Sequence, residues 1–129
     1  MREIPRVYIT QNDKRINLEY IQKFFGTPVI LTRYEFNPGL NASNNRDVLM
    51  DISHNMRDYR PGVDWILPVG SPVLIGLTFM EAGKKSEESG QINILHWSNQ
   101  SQSYRELHID TDQPDRIQTK WEPDHTSPR

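Results

Sequence analysis

One segment near the middle of the chain constrains the fold most, because in it a strand-like apolar run is followed by a tight turn and then by the start of a helix. Residues 65–69 form a short apolar run of strand length, and Gly70 ends it. Ser71 stands where an N-cap belongs, and Pro72 stands at the first helical position, where its missing N–H costs nothing. The pattern predicts a strand, a turn and a helix, with backbone N–H groups pointing outward from the strand end.

The same signals predict alternating strands and helices along the chain. The predicted strands span residues 6–10, 28–32, 64–69, 91–97 and 104–109. The first predicted helix is capped by Asn17, ends at Gly26 and carries Leu18, Ile21, Phe24 and Phe25 on one face. The second begins at Ser43 or Asn44 and directs Val48, Leu49, Ile52 and Met56 to the core, and the third spans residues 72–86.

This order favours an α/β fold, namely a three-layer, Rossmann-like and mainly parallel sheet with a C-terminal antiparallel hairpin. An α+β arrangement is the alternative. The strand at 28–32 has no polar alternation, which predicts burial on both faces. The last strand is predicted to form an antiparallel edge.

Charge and composition divide the chain into a domain at residues 1–110 and a polar tail at residues 111–129. The tail contains three prolines, and Ile117 is its one aliphatic residue, so we predict that it is disordered. Trp121 is its lone large aromatic side chain and is a candidate partner contact. The net charge of −2 falls on residues 110–129, which hold five acids and three bases. The balanced remainder gives no electrostatic drive toward nucleic acid.

The composition also bears on location. The absence of cysteine excludes disulfides and thiolate zinc sites and is compatible with a reducing compartment. No segment reaches the apolar length of a membrane span, and the N-terminus lacks the apolar core of a signal peptide. We therefore expect a cytoplasmic protein with no membrane partner.

Polar residues follow the first three predicted strands, where ligands gather in open α/β sheets. The candidate ligand-binding residues are Thr10, Asn12, Arg33, Gly70 and Ser71. Hydroxyls, an amide, a guanidinium and backbone N–H groups suit a phosphate or carboxylate, so we predict a small anionic or nucleotide-type ligand. The alternative is that Gly70 and Ser71 form an ordinary strand-to-helix turn, since the repeated glycines of a phosphate-binding fingerprint are missing.

No set of side chains argues for catalysis. The four histidines lack metal-ligand spacing, although His96 and His108 lie on neighbouring predicted strands and could approach each other. No serine or threonine stands in a nucleophile elbow. Asp13, Asp58 and Asp64 lie near turns and are interpreted as caps or solvated charges. We expect no catalytic residues, metal or cofactor, and a non-catalytic protein.

The apolar pattern of the third helix indicates that the chain associates with a second copy of itself. Between Val73 and Ala82 it is apolar almost all round, so one stripe can face the sheet while at least two large side chains remain uncovered. Gly76 would let a second backbone approach closely. We predict a homodimer joined through this helix. The alternative is that neighbouring helices and the loop at residues 33–45 cover it within one chain.

Three stretches carry a resemblance to a known group: INLEYIQKFFGTPVILT at 16–32, DWILPVGSP at 64–72 and INILHWSNQSQSYRELHI at 92–109. Over residues 6–109 the chain resembles small α/β proteins of phages and prophage regions, a group that brings no established activity. The resemblance implies an alternative to ligand binding, namely a phage accessory or structural protein that acts through protein–protein contacts. A looser likeness to Rossmann-like sensing domains of CRISPR-associated effectors would imply a cyclic oligonucleotide across a dimer. Those domains carry a glycine- and threonine-richer turn than this chain does.

Overall fold

A computed structural model describes residues 4–33, 42–86, 90–112 and 117–121, and for residues 42–45 and 117–121 it describes the backbone alone. In chain order the elements are β1 (Arg6–Ile9), α1 (Leu18–Phe24), β2 (Thr27–Ile30), α2 (Ala42–Asn55), β3 (Trp65–Leu67), α3 (Pro72–Lys85), β4 (Gln91–Ser98), β5 (Ser103–Asp110) and β6 (Ile117–Trp121). All five predicted strands and all three predicted helices are present. Strand β6 was not predicted.

The strands form one mixed sheet in the order β2-β1-β3-β4-β5-β6. The pairings among β2, β1, β3 and β4 are parallel, whereas β5 pairs antiparallel with both β4 and β6. The α/β class and the C-terminal antiparallel pairing of β4 with β5 are therefore confirmed. From β1 the chain first adds β2 on one side and then crosses to add β3 on the other.

The apolar core consists of two clusters that lie on opposite faces of this sheet. The first cluster joins α2 and α3 to the sheet, and its buried members include Tyr8, Val48, Ile52, Met56, Ile66, Leu74, Ala82 and Ile94. The second joins α1 to the sheet, and its buried members are Val7, Ile9, Ile16, Tyr20, Ile21, Leu67, Leu95 and Tyr104. Successive strand residues such as Val7 and Tyr8 belong to different clusters because side chains alternate across a sheet.

Side-chain caps fix where two helices begin. Asn17 is the N-cap of α1, and its side-chain oxygen accepts a hydrogen bond from the Tyr20 N–H at 3.0 Å. Ser71 is the N-cap of α3, with Pro72 in the first turn as predicted. The core face of α1 is narrower than the sequence pattern indicated, because Leu18 and Phe24 are exposed while Ile21 is buried.

The prediction that the strand at 28–32 is buried on both faces is confirmed only in part. Val29 and Ile30 pack against opposite core clusters, and Leu31 and Thr32 are buried, but β2 itself is not fully covered. Strand β2 is the first strand in the sheet order and therefore an edge strand, and its residues are exposed or half-buried. An apolar run shows that a strand contacts a core, but it does not show how many strands flank it. Pro28 carried the missing signal, because proline has no N–H to donate and is confined to edge positions in sheets.

The tail also departs from the prediction at residues 117–121. These residues form β6 along β5, with Ile117 opposite Ile109 and Trp121 opposite Arg105. Strand β5 is consequently not an edge strand. A polar sequence of low hydrophobicity can still form a strand when a neighbouring strand offers unpaired N–H and C=O groups. The rest of the predicted disordered tail, residues 113–116 and 122–129, lies outside the described residues.

Candidate functional site

The ends of three parallel strands lie together at one edge of the sheet. The direction in which the chain adds strands reverses at β1. The chain first adds β2 on one side of β1 and then adds β3 on the other side. Ligands in open α/β sheets bind in the crevice at such a switch point. The residues that follow β1, β2 and β3 include all five predicted ligand-binding residues, so the fold brings these positions to the same edge.

Thr10 is the innermost of the five, and its side chain is engaged within the protein. The Thr10 hydroxyl donates a hydrogen bond to the Val69 carbonyl and accepts one from the Val69 N–H at 2.7 Å. The Thr10 N–H also donates to the Leu67 carbonyl at 3.3 Å. Because Thr10 is fully buried, its hydroxyl extends the pairing of β1 with β3 beyond the strand ends rather than facing a crevice.

The turn after β3 is shaped by a close contact between Gly70 and Gln11. Gly70 has a φ of +88°, a left-handed conformation that glycine tolerates best. A Cβ atom at this position would lie 2.0 Å from the Gln11 side-chain oxygen. That oxygen accepts a hydrogen bond from the Ser71 N–H at 2.9 Å. Glycine is thus needed both for its backbone conformation and for the space that Gln11 fills.

The N–H groups of this turn are less available than the sequence suggested. The Ser71 N–H is bound by Gln11, the Ser71 hydroxyl accepts from the Val73 N–H at 3.2 Å, and Pro72 has no N–H. The turn is therefore largely capped by the chain itself. An anion at the Ser71 N–H would take the place of the Gln11 oxygen. Gln11 was not among the predicted residues, although its position between Thr10 and Asn12 at the same strand end could have indicated it.

Asn12 and Arg33 form the exposed part of the site. The Asn12 N–H donates to the Thr32 carbonyl at 3.3 Å, which joins the loop after β1 to the end of β2. Arg33 follows directly, and both the Asn12 and the Arg33 side chains are exposed. The edge thus combines an exposed guanidinium and an exposed amide with a turn that is internally capped. These groups can bind an anion, and they include no nucleophile and base in contact.

The two histidines that could have approached each other are kept apart by the register of β4 and β5. His96 lies opposite Arg105, whereas His108 lies opposite Asn93, so the two rings belong to opposite faces of the sheet. His108 Nδ1 lies 2.7 Å from the Asn93 side-chain oxygen. Within the described ranges, no group of three or more histidine, aspartate, glutamate or cysteine residues could hold a metal ion.

Of the two interpretations of Asp64, the structure agrees with a cap rather than a solvated charge, because Asp64 is fully buried and its carboxylate accepts from backbone N–H groups. Its carboxylate accepts hydrogen bonds from the Arg6 N–H at 2.9 Å and the Arg60 N–H at 2.8 Å. It thereby joins the start of β1 to the loop before β3. Tyr59 lies nearby, and its burial, together with the negative charge of Asp64, raises the pKa of its phenol well above the ordinary value. A phenol with so high a pKa does not act as a base near neutral pH.

A second candidate surface lies on the side of α3 that faces away from the sheet. Leu74, Thr78 and Ala82 are buried against the core, one turn apart. Val73 and Met80 are 46% and 61% exposed, and a Cβ atom on Gly76 would meet nothing within 4 Å. These three residues share one face at the spacing i, i+3 and i+7, and we name them the α3 outer stripe. Residues 34–41, most of the loop considered as a cover, lie outside the described residues.

Comparison with known proteins places the chain in a family. The family model for the phage Pam3 gp32-like protein matches residues 5–111, well over half of the chain. The chain belongs to the phage Pam3 gp32-like family. This confirms the resemblance to phage proteins seen in the sequence. No curated protein and no solved structure matches the chain.

The region matched by the Pam3 gp32-like family contains both candidate surfaces, the strand-end site and the α3 outer stripe, and it ends directly after β5. Membership indicates a small phage-associated protein. In the part of the chain that the structure describes, no helix has the length and apolarity needed to cross a membrane.

Proposed function

We propose that this protein is a non-catalytic phage accessory protein that acts through protein–protein contacts, as a homodimer joined by α3. The observation that carries the proposal is the α3 outer stripe, where two large apolar side chains flank an open glycine. Family membership supports a phage context. A location in the host cytoplasm is part of the same proposal and is supported by the cysteine-free composition.

A second copy of the chain fits this stripe because the stripe is complementary to itself. In an antiparallel helix pair centred between Gly76 and Leu77, Val73 of one copy lies opposite Met80 of the other. Every residue from 72 to 80 is uncharged, so two copies bring no like charges together there. Gly76 lies near the centre, where a helix pair needs the closest backbone approach. A two-fold axis requires this kind of self-matching surface.

A charge placed on the stripe tests the proposal. Val73→Glu buries a carboxylate in the dimer and should give a monomer, whereas the unmodified chain should have a dimer mass by light scattering at micromolar concentration. Leu18→Glu is the matched control, since Leu18 is 41% exposed in the first turn of α1, on the opposite face of the sheet. It should leave the dimer intact. A monomer mass for the unmodified chain would overturn the proposal.

We propose ligand binding as a second function, for a small anionic or nucleotide-type molecule at Thr10, Asn12, Arg33, Gly70 and Ser71. It is favoured by the reversal of strand order between β1 and β3, beside the exposed Arg33 and Asn12. The three-layer Rossmann-like classification belongs to this proposal. In it, the Gln11 oxygen occupies the acceptor position that a ligand oxygen takes when it binds.

Thermal unfolding in the presence of individual nucleotides and of inorganic phosphate tests the second function. A ligand at one hundred times its Kd should add about 2.7 kcal/mol to the free energy of unfolding. Arg33→Ala should remove this gain. The matched control, Arg57→Ala, should keep it, because Arg57 is an exposed arginine next to Asp58, which pairs with Arg6 at the other end of β1. Equal stabilisation of both variants would contradict this assignment of the site.

A further inference from the structure

The sheet continues beyond the region that the family model matches. The family match ends at residue 111, directly after β5, and β6 follows at Ile117–Trp121. Strand β6 is the last strand in the sheet order and pairs with β5 alone. The N–H and C=O groups on the outer edge of β5 are therefore bonded by a segment that lies outside the matched region.

The register of β6 shows what this edge accepts. Ile117 lies opposite Ile109, Thr119 lies opposite Leu107, and both β5 side chains pack against the first core cluster. On the alternate positions, Lys120 lies opposite Glu106 in the register, a pairing of oppositely charged residue types. The edge thus fits an extended segment with an apolar residue at one end, a small polar residue at its centre and a basic residue one position further on.

We propose that the outer edge of β5 is a docking surface for an extended strand of a partner protein, and that Ile117–Trp121 holds this surface closed in the isolated chain. The partner strand has the chemistry of β6 and binds by adding itself to the sheet, through main-chain hydrogen bonds and alternate side-chain contacts. An open edge of this length would also invite unspecific pairing, and a covering strand prevents it. Neither the binding of a partner strand nor the protection of the edge by β6 depends on the proposed dimer through α3.

Releasing β6 in the full chain tests the proposal. Adjacent N–H groups of a strand point to opposite edges, so the N–H of either Gln118 or Thr119 points toward β5. The double variant Gln118→Pro/Thr119→Pro therefore removes a main-chain donor to β5 in either case, because proline has no N–H. Ser127→Pro, placed after the strand, is the control. The probe is a fluorescent peptide of residues 115–123, measured by anisotropy. A second peptide with proline at the positions of residues 118 and 119 controls for unspecific binding.

The double variant should bind the native peptide at least about tenfold more tightly than the unmodified chain or Ser127→Pro does, because a larger fraction of its β5 edge is open. Hydrogen exchange should show protection of β5 amides when the peptide binds. Equal binding by all three proteins would overturn the proposal.

Lys120→Glu keeps the experiment decisive if the double variant fails to fold. This change puts two carboxylates opposite each other at Glu106 and weakens β6 without altering its backbone. Peptide binding should again exceed that of the unmodified chain. Peptide binding by a folded Lys120→Glu protein that is no tighter than binding by the unmodified chain would overturn the proposal by itself.

Discussion

At the scale of single residues, the contact between Gly70 and Gln11 determines the shape of the strand-end turn. Gly70→Ala should lower the free energy of unfolding by about 1–2 kcal/mol for the left-handed conformation alone. The new Cβ atom should add a further cost, because it would meet the Gln11 side-chain oxygen at 2.0 Å. The measurement is chemical denaturation of the single variants and of Gly70→Ala/Gln11→Ala.

The two substitutions should not be additive. Gln11→Ala alone removes the hydrogen bond to the Ser71 N–H, worth about 0.5–1.5 kcal/mol. In the presence of Gln11→Ala, Gly70→Ala should cost less than in the unmodified chain, because the contacts with the side-chain oxygen and Cδ of Gln11 are gone. The contact with the Cβ atom of residue 11 at 2.9 Å and the backbone strain remain. The same cost of Gly70→Ala in both backgrounds would show that Gln11 does not fill this space.

Because of Tyr59, we expect the free energy of unfolding to depend on pH in the alkaline range. Its pKa is raised in the folded state by burial first and by Asp64 second, so the folded chain keeps the phenol proton when the unfolded chain releases it. The free energy of unfolding should therefore be highest below about pH 10, the pKa of an unfolded tyrosine, and should fall as the pH rises further. Tyr59→Phe keeps the edge-on ring contact with Tyr8 and should make this fall shallower. An unchanged slope would contradict the assignment.

Residue types and turn chemistry in the sequence predicted which positions meet at the strand ends, but not how they are bonded. Thr10 and Ser71 were predicted as ligand contacts, and in the structure the side chains of both make hydrogen bonds within the protein. Which side chain reaches which N–H depends on distances between segments about 60 residues apart, as for Gln11 and Ser71. Asp64 is a similar case, because its backbone partner Arg6 lies 58 residues away in the chain.

At the scale of elements, substitutions at two glycines of α3 distinguish an effect on the stability of the monomer from an effect on the proposed dimer. A Cβ atom would meet nothing within 4 Å at Gly76 or at Gly83. Alanine at either position should therefore stabilise the dilute protein by about 0.5–1 kcal/mol through helix propensity. Gly76→Ala should also weaken the dimer by separating the helices, whereas Gly83→Ala, three turns from Val73, should not. Thermal unfolding and light scattering over a dilution series measure both effects.

Local signals predicted the elements well, and the pairing of the elements less well. Periodicity and caps defined α3 and the β4–β5 hairpin because those signals lie within one segment. The position of β2 at an edge and the pairing of β6 with β5 depend on strand order, which no local pattern encodes. Pro28 at an edge strand is the exception, since its missing N–H has a positional meaning.

At the scale of the whole molecule, the described residues present three candidate surfaces for function. The strand-end site lies at the carboxyl edge of the parallel strands, the α3 outer stripe lies on the outside of a helix that covers the first core cluster, and the β5 edge is closed by β6. The dimer proposed here uses the second surface and leaves the strand-end site accessible, whereas the β5 edge stays covered by β6.

Cross-linking between single cysteines tests the proposed α3 pair most directly, because the unmodified chain contains no cysteine. A Val73→Cys protein is mixed with an isotope-labelled Met80→Cys protein, and a short bismaleimide is added before mass spectrometry. An antiparallel pair centred between Gly76 and Leu77 predicts that the mixed dimer forms much faster than either homodimer, since residue 73 of one copy lies opposite residue 80 of the other. Cross-linking no faster than that of a Leu18→Cys control mixed with Met80→Cys would contradict the proposed dimer.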